Sequence, residues 1–235
     1  MKTNNKIRNE NDWIKVFAKA KNGHILWDGN AADPSNPKYA IASANTFVNH
    51  GKFLGFFQDK AKILDLGCGN GRLAIPFAQK DVQYEGVEPM IECINFCKEA
   101  FAGYDHLKFH HVPVNSPEYG LSGGIEMENF TLSYDDQYFD DIICYSVFTH
   151  LKTLPIAQRY MQEIKRVLKP NGNFFVSFYR SPPNKTADPY IGRTIYNEWD
   201  IMSMLNGFDV LFSYGGHTDH YYDQWGLFCR RNSNK

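Results

Sequence analysis

The chain has 235 residues, 43% hydrophobic and 22% charged, with a formal net charge of −1. This balance suits one soluble α/β domain with small additions rather than two independent domains. Its 25 basic residues are dispersed, so it lacks the basic stripe of a nucleic-acid binder, and no apolar run reaches the ~18 residues that span a bilayer.

The polar start MKTNNKIRNEND does not read as a signal peptide. Residues 1–60 read as an N-terminal helical cap without independent stability. A helix is expected around Trp13 to Ala20, turns at Asp33-Pro34 and Asn36-Pro37, and a second helix near Ile41 to Phe57. From residue 61 onward strand and helix alternate, which predicts an α/β fold with a doubly wound, mostly parallel sheet. Seven strands are expected, near 62–66, 82–87, 107–112, 139–145, 173–179, 208–214 and 224–230. Helices are expected near 71–80, 90–102, 155–168 and 197–206. The 155–168 helix has an apolar stripe of Ile156, Tyr160, Ile164 and Leu168, with Pro155 at its start and Pro170 and Gly172 to end it. Residues 116–137, rich in Gly, Ser and Glu, read as an irregular excursion. The five scattered cysteines form no CxxC pair and fit reduced, cytoplasmic thiols; Cys93 and Cys97, four apart on a helix, read as packing.

KILDLGCGNGRLA, residues 62–74, reads as a buried strand breaking into a glycine turn that opens a helix. Gly67, Gly69 and Gly71 permit positive φ and close approach of a ligand, and free N–H groups at the helix start suit an anion. Asp65 lies two residues before Gly67. Glu88 ends the second strand about 20 residues past the glycines, the spacing at which an acid meets ribose hydroxyls. The third glycine comes one residue too early for the dehydrogenase pattern, and Arg72 stands in its place. These residues resemble the class I S-adenosylmethionine (SAM) dependent methyltransferases. The resemblance implies a Rossmann-like fold in which Asp65, Gly67, Cys68, Gly69 and Gly71 surround the amino-acid end of SAM. Glu88, followed by Pro89 and Met90, would hold the ribose. Residues 61–235 would form the methyltransferase domain.

The remaining motifs read against that resemblance. After FDDIIC, Tyr145, Ser146 and Val147 would line the cofactor, and His150 is the candidate general base; alternatively His150 packs at the start of a helical turn. The family often places an acid after the third strand for the adenine amino group. This chain has Val114 and Asn115 there, so the Asn115 amide or the Val114 backbone would serve. His110 and His111, adjacent on a strand, point to opposite faces and form no metal pair. Tyr39 is the candidate for the SAM carboxylate, and Trp27 either covers the site or belongs to the core. Tyr179 with Arg180 or Arg193 would meet an acidic or phosphorylated acceptor, the alternative being ordinary surface charges. GGHTDHYYDQW, residues 215–225, has three readings: a divalent-metal site on His217, Asp219, His220 and Asp223, a solvated hairpin, or a wall of the acceptor pocket carrying His217, His220 and Tyr221. The pocket wall is preferred, and no metal is assigned.

The expectation is therefore a cytoplasmic SAM-dependent enzyme, monomer or homodimer, with no nucleic-acid or membrane partner. It would methylate an oxygen or nitrogen of a small molecule, with sugar-linked or phosphorylated metabolites of surface polysaccharide biosynthesis as first candidates. The alternatives are a protein or RNA methyltransferase and a non-catalytic SAM-binding protein. CYSV stands where a base-amine methyltransferase would carry an N-P-P-Y-type tetrapeptide.

Overall fold

The computed structural model describes residues 8–19, 37–116, 119–180, 194–215 and 224–233. The chain divides into two units, Met1–Val112 and Pro113–Lys235.

The first unit contains α1 (Glu10–Phe17), α2 (Pro37–Phe53), β1 (Lys62–Leu66), β2 (Gln83–Glu88), α3 (Ile91–Ala100) and β3 (Leu107–His111). β2 runs parallel to both β1 and β3, with Ile63 opposite Tyr84 and Gly86 opposite Phe109. An Asn9/Asp12 capping box starts α1. Its buried Trp13 and Phe17 pack their rings against Phe101 at the end of α3. α2 begins four residues earlier than expected, with Pro37 at its first position, and stops at Phe53. The expected 71–80 helix is instead a 3₁₀ turn, Arg72–Phe77. Pro76 lies inside it and has no N–H to donate into an α-helical ladder.

The second unit contains β4 (Phe139–Cys144), α4 (Leu154–Val167), β5 (Leu168–Arg180), β6 (Ile195–Tyr196), α5 (Glu198–Met204), β7 (Phe208–Tyr214) and β8 (Gln224–Arg231). β4 and β6 run parallel to β5, while β8 runs antiparallel to β5 and to β7. β6 is an addition to the expected strands. Thr153 caps α4, and Ile156, Tyr160 and Ile164 are buried as the stripe predicts. The helix ends at Val167, before Pro170 and Gly172, because Leu168 is already extended. These two residues instead shape an irregularity opposite Asp140. A Cβ at Gly172 would lie 2.8 Å from the Lys169 carbonyl oxygen and 3.0 Å from that of Asp140.

Glu163 is the buried acid on α4, and it ties the 130–136 segment to the helix. Its Oε2 accepts from the Leu132 N–H at 2.9 Å, from the Thr131 hydroxyl at 3.1 Å and from Arg166 Nη2 at 2.8 Å. Burial pushes its carboxyl up, but the Arg166 guanidinium with the Leu132 and Thr131 donors outweighs burial and holds it below the usual range. Glu163→Ala leaves these donors without their acceptor. It is expected to lower unfolding free energy in urea titrations by about 2–4 kcal/mol, and a loss under about 1 kcal/mol would show that water replaces the carboxylate.

Candidate active site

In the first unit the loop between β1 and the 3₁₀ turn is held by backbone and carboxylate together. The N–H groups of Gly67 and Cys68 both donate to the Val87 carbonyl, at 2.9 and 3.1 Å. Glu88 Oε2 accepts from the Gly69 N–H at 3.0 Å, and its Oε1 accepts from the Met90 N–H at 3.1 Å. Burial raises the Glu88 carboxyl above its usual range, while the Met90 and Gly69 N–H groups oppose the rise. The glycines serve different purposes. Gly69, at φ 52°, has no atom of the described residues within 4 Å of where a Cβ would stand, the condition for a ligand to approach the backbone closely. Gly71, at φ 75°, is required by packing: its Cβ would lie 2.8 Å from the Phe101 ring and 3.0 Å from Cys97 Sγ.

Asp65 lies beneath the loop and is 1% exposed. Its Oδ2 accepts from the Tyr84 hydroxyl at 2.5 Å. Burial lifts its carboxyl to about 7, against the opposing pull of Tyr84 and Arg72 and with a further push from Glu88. Arg72 donates to Ser43 Oγ at 3.1 Å, joining the loop to α2. Tyr39 is exposed on α2. The Pro89 carbonyl is 2.9 Å from His111 Nε2, and His110 pairs with Glu85 at 2.5 Å, so both histidines are exposed strand residues. The loop N–H groups of Gly67, Cys68, Gly69 and Gly71 are all taken up within the protein, so the anion-receiving donors read from the sequence are not on offer there; the space at Gly69 and the acid at the end of β2 fit a ligand that carries a diol.

In the second unit a polar network forms beyond the carboxyl end of β4. Ser146 adopts φ 63°, a left-handed conformation that costs a non-glycine residue about 1–3 kcal/mol. Its N–H donates to Ser177 Oγ at 2.8 Å; Ser177 and Ser146 hydroxyls both donate to Gln224 Oε1 at 2.9 Å. Those donors orient the Gln224 amide, and its Nε2 faces the Tyr179 hydroxyl at 3.5 Å. The Tyr214 and Tyr145 hydroxyls lie 3.5 Å apart. Gly226 is a glycine because the Tyr214 ring covers it, 2.5 Å from where a Cβ would be.

Val147 precedes a 3₁₀ turn, Phe148–His150. The Thr149 hydroxyl donates to the Ser146 carbonyl at 2.7 Å, and the Tyr196 hydroxyl donates to the Leu151 carbonyl at 2.7 Å, so this turn is held on both sides. The Tyr119 hydroxyl lies 2.8 Å from each ring nitrogen of His150, between the two rather than in line with either. Asn115 braces its own loop: its amide nitrogen donates to Glu126, and its amide oxygen accepts from the Gly124 N–H at 2.6 Å. Val114 is buried and bridges to Ile125. Tyr179 is 2% exposed, and Arg180 stacks on Trp225 and reaches Glu198 at 3.4 Å.

Sequence reading missed Tyr119, Ser177, Tyr214 and Gln224. Only Gly226 carried a local signal, as a glycine inside a strand where another group approaches closely. Trp27, Arg193, His217, Asp219, His220, Tyr221 and Asp223 lie outside the described residues. Among the described residues no His, Cys, Asp and Glu group is arranged to hold a metal, and no helix is long and apolar enough to cross a membrane.

Strand–helix alternation, a glycine turn after β1 and an acid ending β2 define the Rossmann-like class of cofactor-binding folds. Residues 32–232 match the family described as methyltransferase domain, and the chain belongs to that family. The rat mitochondrial ubiquinone biosynthesis O-methyltransferase is 28% identical over 137 residues, 58% of this chain and 35% of that protein. The Escherichia coli O-antigen chain terminator bifunctional methyltransferase/kinase WbdD is 26% identical over 147 residues, 62% of this chain and 18% of that protein. The chain thus spans a minority of the length of either relative. Among solved structures, the SAM-bound magnesium protoporphyrin IX methyltransferase of Synechocystis superposes with a TM-score of 0.58 at 17% identity, covering 98% of this chain and 100% of that one. Family and fold together make this a methyltransferase-domain protein on a Rossmann-like scaffold.

Because Asp65 titrates near 3.8 when unfolded and about 7 when folded, the folded state holds the extra proton between those values. Its stabilising contribution is complete below the lower value and is lost as pH rises through the upper one. Thermal unfolding midpoints are therefore expected to fall from pH 5 to pH 8 on account of Asp65. Asp65→Asn, which keeps an acceptor for Tyr84, should flatten that fall; parallel profiles for the two proteins would refute the assignment.

Proposed function

We propose that this methyltransferase acts on a hydroxyl oxygen of a small molecule. The observation that supports an oxygen acceptor is the His150 imidazole, 2.8 Å from the Tyr119 hydroxyl on a turn held at both ends. A hydroxyl must lose its proton during transfer, and an imidazole can take it near neutral pH. Bound SAM supplies a methyl group already activated on a sulfonium, so the protein's task is chiefly distance, angle and exclusion of water. In this reading Glu88 with Pro89 and Met90 receives the ribose, and the Gly67–Gly71 loop over Asp65 receives the amino-acid end. Tyr39 meets the carboxylate, and Val114, Asn115, Tyr145, Ser146 and Val147 remain assigned to the cofactor on sequence grounds. Asn115 already uses both ends of its amide within its loop, which favours the Val114 backbone for the adenine. Tyr179 contributes through its bond with Gln224. Trp27, His217, His220 and Tyr221 remain assigned to the acceptor pocket on sequence grounds.

A sugar-linked or phosphorylated acceptor of surface polysaccharide biosynthesis is a second reading, favoured by the likeness to the O-antigen chain terminator. Arg180, which contacts Glu198 through one guanidinium nitrogen at 3.4 Å, would meet the anionic group of such an acceptor.

Glu88→Ala is expected to abolish calorimetrically detectable binding of S-adenosylhomocysteine; unchanged affinity would remove Glu88 from the ribose. His150→Gln should leave that affinity intact. It should slow S-adenosylhomocysteine formation from SAM about 100-fold or more with whichever hydroxyl compound, from a panel of phenols, sugar nucleotides and sugar phosphates, turns over best. An undiminished rate would leave His150 a packing residue.

A further inference from the structure

The cysteines around the glycine loop are more than packing. Gly69 is gripped on its N–H side by Glu88. On its carbonyl side two buried thiols converge: Cys97 Sγ of α3 donates at 3.4 Å and Cys68 Sγ at 3.7 Å. Cys97 Sγ also stands 3.0 Å from where a Cβ on Gly71 would be, so one side chain bears on two of the three glycines. Cys68 Sγ in turn fits over Gly86 of β2, whose Cβ it would meet at 2.9 Å. Burial, then the neighbouring Cys97 thiol, push the Cys68 thiol well above its ordinary range. It therefore remains protonated and able to donate near neutral pH.

We infer that Cys97, assisted by Cys68, is a positioning residue for the cofactor: the thiols hold the Gly69 carbonyl while Glu88 holds the Gly69 N–H, and so keep the space above Gly69 and the Glu88 carboxylate in place for SAM. This rests on the cofactor reading of the loop. The S–H group acts as a hydrogen-bond donor here, weak by itself but applied to the Gly69–Asn70 peptide, while Glu88 holds the Cys68–Gly69 peptide, so that both planes flanking a left-handed glycine are fixed. Cys93, one turn earlier on the same buried helix face, has no bond to the loop among the described residues and serves as the internal control.

The test is calorimetric titration of the full chain with S-adenosylhomocysteine, with thermal unfolding measured on each variant. Cys97→Ala removes the donor and is expected to raise the Kd about fivefold. Cys97→Ser keeps a donor at nearly the same place and should recover most of that loss, while Cys93→Ala stays within about twofold of wild type. The Ser/Ala comparison separates this role from simple packing. A buried serine fills an apolar site no better than alanine and adds a polar group, so a packing role predicts Ser to be as poor as Ala or worse. An unchanged Kd for Cys97→Ala, or a Cys97→Ser loss equal to the alanine loss, overturns the inference. Should Cys97→Ala not fold, Cys68→Ala and Cys97→Ser carry the test: weakening in the first and not the second supports it, and the reverse overturns it. A wild-type chain that does not bind S-adenosylhomocysteine would instead remove the cofactor reading itself.

Discussion

The hydrogen bond from the Gly69 N–H to the Glu88 carboxylate is the constraint on which the rest of the first unit depends. It joins the middle of the loop after β1 to the end of β2, at a point where the parallel register has already set Leu66 beside Val87. A loop of glycines alone would sample many conformations, and the entropy of ordering it has to be met by specific bonds. Here the Val87 carbonyl takes the first two N–H groups of the loop, Glu88 takes the third, that of Gly69, and the start of α3 is tied to the same carboxylate through Met90. One buried acid thus sets the loop, the strand end and the following helix together. Its carboxyl is raised by burial, a cost that the two N–H bonds partly offset.

The second unit meets a similar demand with neutral groups. Ser146 occupies a strained backbone conformation, and the bond from its N–H to Ser177, with both serine hydroxyls converging on Gln224, over-determines it. The turn carrying His150 follows immediately and inherits that rigidity through the Thr149 hydroxyl on the Ser146 carbonyl. Strain at the carboxyl end of β4 is therefore supported from a strand more than seventy residues later in the chain.

Two elements show where local reading and tertiary packing part. The 71–80 helix has the right apolar spacing, yet Pro76 denies it an α-helical ladder, and the segment closes as a 3₁₀ turn against α2. The end of α4 is set by neither Pro170 nor Gly172 but by the pairing of Leu168 with Phe139, since a strand bond outside the helix competes for the same residues. The Asn115 amide, read as an adenine contact, is consumed in its own loop because Gly124 and Glu126 fold back onto it. Arg180, read as an anion receptor, stacks on Trp225 and pairs with Glu198, both distant in sequence.

The sequence by itself determined the strand–helix alternation, the glycine loop, the acid at the end of β2 and hence the methyltransferase class, because these depend on periodicity, backbone conformations open only to glycine, and fixed spacing along one strand–turn–strand segment. Tertiary structure alone decided which polar side chains meet: Tyr119 with His150, Gln224 with Ser146 and Ser177, Tyr84 with Asp65, and the Cys97 thiol with Gly69. Each of these pairs joins residues 19 or more positions apart. Burial requires each polar group to find a partner, but only the register of paired strands and the packing of helices upon them brings a particular partner within reach.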